Sequence, residues 1–182
     1  AGIKSPIMVL TAGTDSFEQI VNYGLEPGIP NMYSLKILCD VLEKRGLKGF
    51  PIHIKLDTGM HRLGFMTEEL PELMDFLKTC TAVTVKSVYS HLAAADDASC
   101  DDFTLGQIAL YKENADKLTE ALGYKPLYHV LNSAGIERFP QYQFDMVRLG
   151  IGIYGVSAIP GNKLAPVASF KCKILQIKTL KP

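Results

Sequence analysis

Short apolar segments alternate with longer segments of helical periodicity along most of the chain, and this alternation restricts the fold more than any other feature. Strands that alternate with helices at such spacing form βα units around a parallel sheet. The sequence therefore predicts an α/β fold, either a doubly wound sheet or part of a (β/α)8 barrel. The predicted strands are Ile7–Leu10, a segment near Leu25–Ile29, Ile52–Asp57, Val83–His91, Leu127–Asn132 and Met146–Tyr154, and the predicted helices are Ser34–Arg45, Thr67–Lys78 and Thr104–Leu122.

The third predicted strand favours the barrel. Ile52, Ile54 and Leu56 alternate with polar residues, and the side chains of a strand alternate between its two faces. The apolar face suits a covering layer of helices, which leaves Lys55 and Asp57 facing the barrel interior. A closed barrel typically needs about 250 residues, whereas this chain has 182. We therefore predict a partial TIM (β/α)8 barrel.

The pattern changes after Tyr154. A loop rich in Pro and Gly, VSAIPGNKLAP, is followed by SFKCKILQIKTL, in which apolar residues alternate with lysines. Such alternation is typical of a half-exposed antiparallel strand. We predict that residues 1–158 form the partial barrel and that residues 159–182 are a linker and the first strand of a β-type C-terminal domain. Because the chain opens as AGIKSPIMVL, without an initiator Met, we expect a piece of a longer protein.

The charge balance argues against two classes of partner. Nineteen basic residues match nineteen acidic ones, with no basic block, so electrostatic binding to nucleic acid or to a membrane surface is disfavoured. No apolar run approaches the roughly 20 residues that a membrane-spanning helix needs. The four cysteines are scattered, without a CxxC pair or a Cys/His cluster. This is typical of free thiols in a reducing compartment such as the cytoplasm, and it predicts no metal site.

Three polar clusters lie where predicted strands end. The first is KLDTGMHR, from Lys55 to Arg62, and the second is SHLAAADD, which contains His91. The carboxyl ends of parallel strands meet at one mouth of a barrel, where active sites form and where loops after the last strands commonly bind phosphate. We therefore expect the clusters to converge there. The third cluster joins HVLNSAG to DMVRLGIGIYG and contributes Asn132, Ser133, Arg148, Gly150 and Ile151.

Each cluster taken alone has a structural explanation. Lys55 and Asp57 would also suit an interior ion pair, and a lone His91 is more often a hydrogen-bonded core residue. The segment NSAG is also an ordinary helix start. The segment GIGIYG lies within a strand pattern and opens no helix, so it is not a dinucleotide-binding loop. The combination of the three clusters favours a functional site.

These residues resemble those of a known family. HIKLDTGMHRLGF, SHLAAADD, LNSAG and FDMVRLGIGIYG occur in the order and spacing of the alanine racemases, isomerases of fold type III that use pyridoxal 5′-phosphate (PLP). GMHRLGF and SAGIERFPQYQFDMVRLGIGIYGVSA are most similar to the racemase half of bacterial proteins fused to a murein-pathway D-alanyl-D-alanine-adding ligase. The resemblance implies a cytoplasmic homodimer that interconverts L- and D-alanine for peptidoglycan precursors.

The resemblance also implies a role for each matching residue. Arg62 matches an arginine that bonds the phenolic oxygen of the cofactor and helps to hold the substrate carboxylate, which a charged, forked side chain suits. Lys55 matches a lysine that some members carry as a carbamate and that positions this arginine. Arg148 matches the arginine facing the pyridine nitrogen, where its charge disfavours protonation of that nitrogen. His91 matches a residue that supports Arg148.

The phosphate of the cofactor is expected at the third cluster. Ser133 matches a phosphate contact, and Gly150 and Ile151 match contacts made through backbone N–H groups. Asn132, directly before Ser133 in the sequence, is assigned to the same cofactor site.

Two departures from the family pattern concern the bases. The family's cofactor-binding lysine lies on the first barrel strand in a segment like KANAYGHG, and no such segment occurs in these 182 residues. The opposing base is a tyrosine of the C-terminal domain that reaches across from the other subunit. Racemisation needs a base on each face of the substrate, so we expect this chain alone to be inactive. We also expect it to represent strands three to eight of its parent and, with open sheet edges, to self-associate.

Two alternatives remain open from the sequence. One is a non-catalytic PLP-binding barrel of the cofactor-homeostasis type, which lacks a second domain. The other is a racemase relative that acts on serine. The β-type pattern after Pro166 and the position of Arg148 favour the alanine racemase over the non-catalytic barrel.

Overall fold

The computed structural model describes residues 2–169 and 171–179, and its centre is a five-stranded parallel sheet. Strand order follows the chain and every neighbouring pair is parallel, as in consecutive βα units of a barrel. This half-barrel confirms the predicted partial TIM (β/α)8 fold. The strands are β1 (Met8–Val9), β2 (Glu26–Ile29), β3 (Phe50–Lys55), β4 (Val83–Tyr89) and β5 (Leu127–His129), and the helices are α1 (Phe17–Asn22), α2 (Met32–Lys44), α3 (Leu70–Thr79), α4 (Asp101–Leu122) and α5 (Ser133–Arg138).

The core lies between the outer face of the sheet and the helices that cover it. Ile52 and Ile54 of β3 are fully buried, as the alternation in this strand predicts. They belong to one apolar cluster with Leu35, Leu38 and Leu42, which form the buried stripe of α2. The opposite face of the sheet is therefore left to the polar side chains of the half-barrel interior.

The long helices form close to their predicted bounds. The helix predicted at Thr67–Lys78 begins with one 3-10 turn at Thr67–Glu69, and the one predicted at Thr104–Leu122 begins three residues earlier, at Asp101. The sequence did not predict α1. This helix has only six residues, too few for a clear helical period.

The strand predicted at Met146–Tyr154 is wrong. No residue of this segment is in a strand, and Ile151–Tyr154 is a 3-10 turn. The backbone still runs beside β5, because the N–H of Met146 donates to the oxygen of Tyr128 over 3.3 Å and the N–H of Arg148 to that of Leu131 over 3.0 Å. These bonds do not repeat as a ladder, and without a regular ladder the segment has no β-pairing.

The strand predicted in SFKCKILQIKTL is also absent from the part that the structure describes. Residues 171–179 are exposed and carry no regular secondary structure, while Phe170 and residues 180–182 lie outside the described residues. An antiparallel strand needs a neighbour to complete its hydrogen bonds, and no described segment bonds to the backbone of 171–179. The division at residue 158 stays a prediction. In the described part of the chain, no helix has the length and apolar character needed to cross a bilayer.

Candidate active site

Four of the predicted site residues surround one cavity at the carboxyl ends of the strands. Lys55 is the last residue of β3, and His91 follows shortly after the end of β4. Arg62 and Arg148 come from loops that reach the same place. We call this space the cationic cavity; its volume is about 320 Å³ and it is lined by Leu10, Thr11, Lys55, Arg62, Leu63, Tyr89, His91 and Arg148.

The cationic cavity is strongly electropositive. It has three cationic side chains, and no carboxylate is among its lining residues in the described part of the chain. Burial lowers the pKa of Lys55, and the charges of Arg148 and Arg62 lower it further, while Asp57 acts in the opposite direction. Burial and the same cations lower the pKa of His91 to about 4, so this imidazole is neutral near pH 7. An anion entering the cavity would relieve the repulsion among its cations.

The ring of Tyr89 forms the floor of the cationic cavity. Nζ of Lys55 lies 5.2 Å from its centroid and Cζ of Arg148 lies 5.5 Å from it. The imidazole of His129 stacks on the same ring, with centroids 5.2 Å apart and an interplanar angle of 3°. Cations near an aromatic ring gain modest stabilisation from its quadrupole, and burial raises the pKa of the Tyr89 phenol to about 12. The floor is therefore an uncharged aromatic surface between the cations.

Asp57 shapes the loop that carries Arg62. Its Oδ1 accepts hydrogen bonds from the backbone N–H groups of Gly59 and His61, each over 3.0 Å. Both donor residues have positive φ, 129° at Gly59 and 53° at His61. Hydrogen bonds from backbone N–H groups to an aspartate side chain can stabilise such a tight turn. The interior ion pair of Lys55 with Asp57, considered from the sequence, does not form among the described residues. Asp57 instead bonds the backbone of the loop that carries Arg62.

Arg148 is held by four acceptors. Its Nη1 donates to Nδ1 of His129 over 2.7 Å and to the oxygen of the same residue over 3.1 Å. Its Nη2 donates to the oxygen of Ser90 over 2.5 Å and to that of Val130 over 3.1 Å. None of the four is a carboxylate, so the positive charge has no anionic partner in direct contact in the described part of the chain.

The support that the sequence assigned to His91 comes from a different histidine. Among the described residues Arg148 has no hydrogen bond to His91 and is bonded to His129. His129 ends β5, next to the segment that carries Arg148, whereas His91 lies beyond the end of β4 and faces the cavity. A polar His within the otherwise apolar segment LYHVL is the signal that could have identified it. The role of His91 as a cofactor contact stays a prediction.

His129 is one member of a chain of buried hydrogen bonds that the sequence analysis missed. We call it the interior chain: Glu26, His53, Ser87, His129 and Arg148. Oε2 of Glu26 lies 3.0 Å from Nε2 of His53, whose Nδ1 lies 2.6 Å from Oγ of Ser87. That oxygen lies 2.8 Å from Nε2 of His129. Burial and the charge of Arg148 lower the pKa of His129 to about 3. The signal was at least one polar residue on the inward face of each of four successive strands.

A second cavity lies beside Ser133; we call it the serine cavity. Oγ of Ser133 accepts hydrogen bonds from the N–H groups of Gly150, over 2.9 Å, and Gly152, over 3.0 Å. The predicted phosphate donor Gly150 is thus bonded to Ser133 here, and Gly152 is a partner that the sequence did not indicate. A hydroxyl that accepts two bonds still has its own proton to donate. The volume is about 590 Å³, and the lining residues are His91, Leu92, Ala93, Asp96, Asn132, Ser133, Ala134, Gly150, Ile151, Val156, Ser157 and Ala158.

The two cavities fit the two ends of a phosphorylated, anionic aromatic ligand such as PLP. His91 lines both of them. The cationic cavity suits an oxygen anion or a carboxylate, and its aromatic floor suits a ring. The hydroxyl of Ser133 suits a phosphate, although Asp96 also lines this cavity and opposes a close anion. Oδ1 of Asn132 accepts from the N–H of Gly135 over 2.9 Å at the start of α5, and its assignment to the cofactor site stays a prediction.

The comparisons of this chain with known sequences and structures all match members of one family. The family model described as alanine racemase, N-terminal domain, matches residues 1–158. An alanine racemase of Synechocystis is 34% identical over 188 residues, which cover 100% of this chain and 50% of that protein. One of Syntrophobacter fumaroxidans is 35% identical over 183 residues, covering 98% of this chain and 48% of that protein.

The solved structures give the same result. A crystal structure of alanine racemase from Bartonella henselae with covalently bound pyridoxal phosphate has a TM-score of 0.73 and 28% identity. The match covers 87% of this chain and 44% of that one. The chain thus spans about half the length of the relatives it matches.

Proposed function

The chain belongs to the alanine racemase family, whose cofactor is PLP, and from this premise we propose that it forms the binding half of an enzyme that interconverts L- and D-alanine. One observation supports this proposal at the level of residues. Three cationic side chains surround the aromatic floor of the cationic cavity, and in the described part of the chain no carboxylate lines it. An ordinary interior ion pair would have neutralised those charges. Here they are available to an anionic ligand.

At the cationic cavity, the proposed tasks are binding and control of charge. Arg62 would hold the phenolic oxygen of the cofactor and the carboxylate of alanine, since its fork satisfies two oxygens while staying charged. Arg148 would lie beside the ring nitrogen and would keep it unprotonated, because its positive charge disfavours a second charge nearby. Lys55 helps to position Arg62. When bound, PLP supplies the electron sink that makes the Cα proton of the substrate removable.

At the serine cavity, the proposed task is to hold the phosphate. Ser133 donates its hydroxyl proton, while the N–H groups of Gly150 and Gly152 orient that hydroxyl by donating to it. The N–H of Ile151 lies between these two donors in the chain and is proposed as a further contact. Asn132 contributes indirectly by holding the start of α5.

The two bases of racemisation are proposed to lie outside these 182 residues. One base must remove the Cα proton and another must return a proton on the opposite face, and we assign neither task to a residue that lines the cationic cavity. We therefore propose that the chain alone binds PLP and does not racemise. For the longer protein we propose a cytoplasmic homodimer that supplies D-alanine for peptidoglycan, and the encoding sequence will show whether a ligase is fused to it.

Binding and turnover are tested separately. PLP affinity of the chain is measured by equilibrium dialysis for the wild type, Arg148→Met, Arg62→Ala and a control, Arg45→Ala, whose side chain pairs with Glu18 on the surface. We expect the control to match the wild type and the two cavity variants to bind at least about tenfold more weakly, since a charge-assisted hydrogen bond contributes about 1.5–3 kcal/mol. Equal affinity in all four proteins would contradict the site.

Turnover is measured as D-alanine formed from L-alanine at equal PLP. The chain alone should not exceed the PLP blank, while the longer protein that contains it should turn over and lose activity with Arg62→Ala. Repeating the assay with L-serine separates an alanine racemase from a serine-acting relative. A longer protein that binds PLP and racemises neither amino acid would favour the non-catalytic barrel.

A further inference from the structure

The interior chain has a fixed direction, which follows from its two ends. A guanidinium only donates hydrogen bonds and a carboxylate only accepts them. Nδ1 of His129 must therefore accept from Arg148 across their 2.7 Å contact. A neutral imidazole has one donor and one acceptor nitrogen, so Nε2 of His129 carries the proton and donates to Oγ of Ser87 over 2.8 Å.

The same reasoning continues through Ser87 to the carboxylate. The hydroxyl of Ser87 has a single proton, and after accepting from His129 it donates that proton to Nδ1 of His53 over 2.6 Å. Nε2 of His53 then carries a proton and donates to Oε2 of Glu26 over 3.0 Å. All four hydrogen bonds run from the cation to the carboxylate, and each residue is in the state that its neighbours require.

The opposite direction is incompatible with Arg148. If His53 presented a proton on Nδ1, Ser87 would accept it, and the hydroxyl proton of Ser87 would be free to turn toward Nε2 of His129. The proton of His129 would then lie on Nδ1, facing an N–H of Arg148 at a distance suited only to a hydrogen bond. Two buried donors that face each other both lack an acceptor, which is energetically unfavourable. Arg148 would have to leave its place.

We propose that Glu26 is a positioning residue for Arg148: acting through His53 and Ser87, it fixes the tautomer of His129 whose Nδ1 accepts from the guanidinium. The inference rests on the proposed function only for its consequence, which is how Arg148 faces the cofactor. The other three acceptors of Arg148 are backbone oxygens, whose acceptor state never changes. His129 is the one acceptor of Arg148 whose interaction becomes repulsive if the imidazole proton moves from Nε2 to Nδ1. Its tautomer is therefore the state that Glu26 has to fix.

Burial makes the anchor effective. Ser87 and His129 are fully buried and His53 is 6% exposed. Little water therefore reaches the middle of the interior chain to replace a lost hydrogen-bond partner. Burial lowers the pKa of His53 while Glu26 acts in the opposite direction. The side chain of Glu26 is 15% exposed, so the only charged acceptor of the interior chain lies at its partly exposed end. Arg148 and Glu26 thus require the same direction, and Glu26 imposes it from the end of the interior chain that is opposite to Arg148.

The tautomer is measured by NMR of the chain with ¹⁵N-labelled histidine, because ring nitrogens with and without a proton resonate in separate ranges. Variants are Glu26→Ala, Glu26→Gln and Ser87→Ala, with Glu72→Gln as the control, since Glu72 forms a surface pair with Lys36. In the wild type and the control, Nδ1 of His129 should be unprotonated and Nε2 protonated. Glu26→Ala and Ser87→Ala should both shift His129 toward a mixture, whereas Glu26→Gln, whose amide oxygen still accepts, should shift it less.

The functional consequence is measured as PLP affinity on the same proteins. We expect Glu26→Ala to bind PLP about two- to tenfold more weakly, the equivalent of one hydrogen bond, and the double variant with Ser87→Ala to bind no more weakly than Ser87→Ala alone, because both act through one chain. An unchanged His129 tautomer in Glu26→Ala would overturn the proposal, as would a changed tautomer with unchanged PLP affinity. If the wild type does not bind PLP, the proposed function fails, while the tautomers still decide whether Glu26 sets the direction.

Discussion

The contacts of Ser133 allow a quantitative prediction for Ser133→Ala. Its Oγ is the acceptor for two backbone donors, Gly150 and Gly152, at 2.9 Å and 3.0 Å. A neutral hydrogen bond contributes about 0.5–1.5 kcal/mol net, which sets the loss at about 1–3 kcal/mol in the free energy of unfolding. Ser133 is 6% exposed, but Gly150 is on the surface and Gly152 is half-buried. Water will replace part of the loss, so we expect the lower half of this range.

The assay is urea unfolding followed by circular dichroism, with Ser5→Ala as the control because Ser5 is exposed. For a chain of this size, each 1 kcal/mol corresponds to roughly 2–4 °C in Tm, so thermal melts give a second readout. The two variants should share one urea m value, since the change is local. A Ser133→Ala midpoint indistinguishable from that of Ser5→Ala would refute the view that this hydroxyl holds the 150–152 segment. A stability loss without weaker PLP binding would restrict Ser133 to a structural role.

Three further outcomes are expected. Because the folded pKa of His129 is about 3, below its ordinary value of about 6.5, the unfolded chain binds more protons between these values and stability falls with acid. His129 should contribute about 2 kcal/mol to the fall in the free energy of urea unfolding between pH 7 and pH 5. His91, with a pKa of about 4, acts in the same direction, so His129→Gln should reduce the total fall by about 2 kcal/mol without abolishing it. Gly28→Ala should destabilise by about 1–3 kcal/mol, since an added Cβ would clash with the hydroxyl of Tyr89; an unfolding midpoint equal to the wild type would contradict this, with Gly106→Ala, where the space is open, as the control. Light scattering should show association of the chain through its sheet edges, and a monomer at high concentration would oppose it.

The sequence by itself determined most of the elements and the location of the site. Alternating apolar and helical segments predicted the parallel half-barrel, because burial on one face imposes a period on each element that is visible locally. The convergence of Lys55, Arg62 and His91 followed from the rule that parallel strands end at one edge, whereas Arg148 was placed there through a predicted strand that does not form. The family motifs added the cofactor. None of these inferences required knowledge of which side chain touches which.

The tertiary structure decided which backbone segments and which side chains pair with each other inside the half-barrel. The segment Met146–Tyr154 has the composition of a strand, yet it forms none, because a strand exists only where a neighbour supplies a regular ladder. His129 and not His91 bonds Arg148, since the partner is chosen by distance across the half-barrel and not by the position of a motif. Glu26 and His53 are 27 residues apart in the chain, and only the register of adjacent strands brings such residues into one hydrogen-bonded chain.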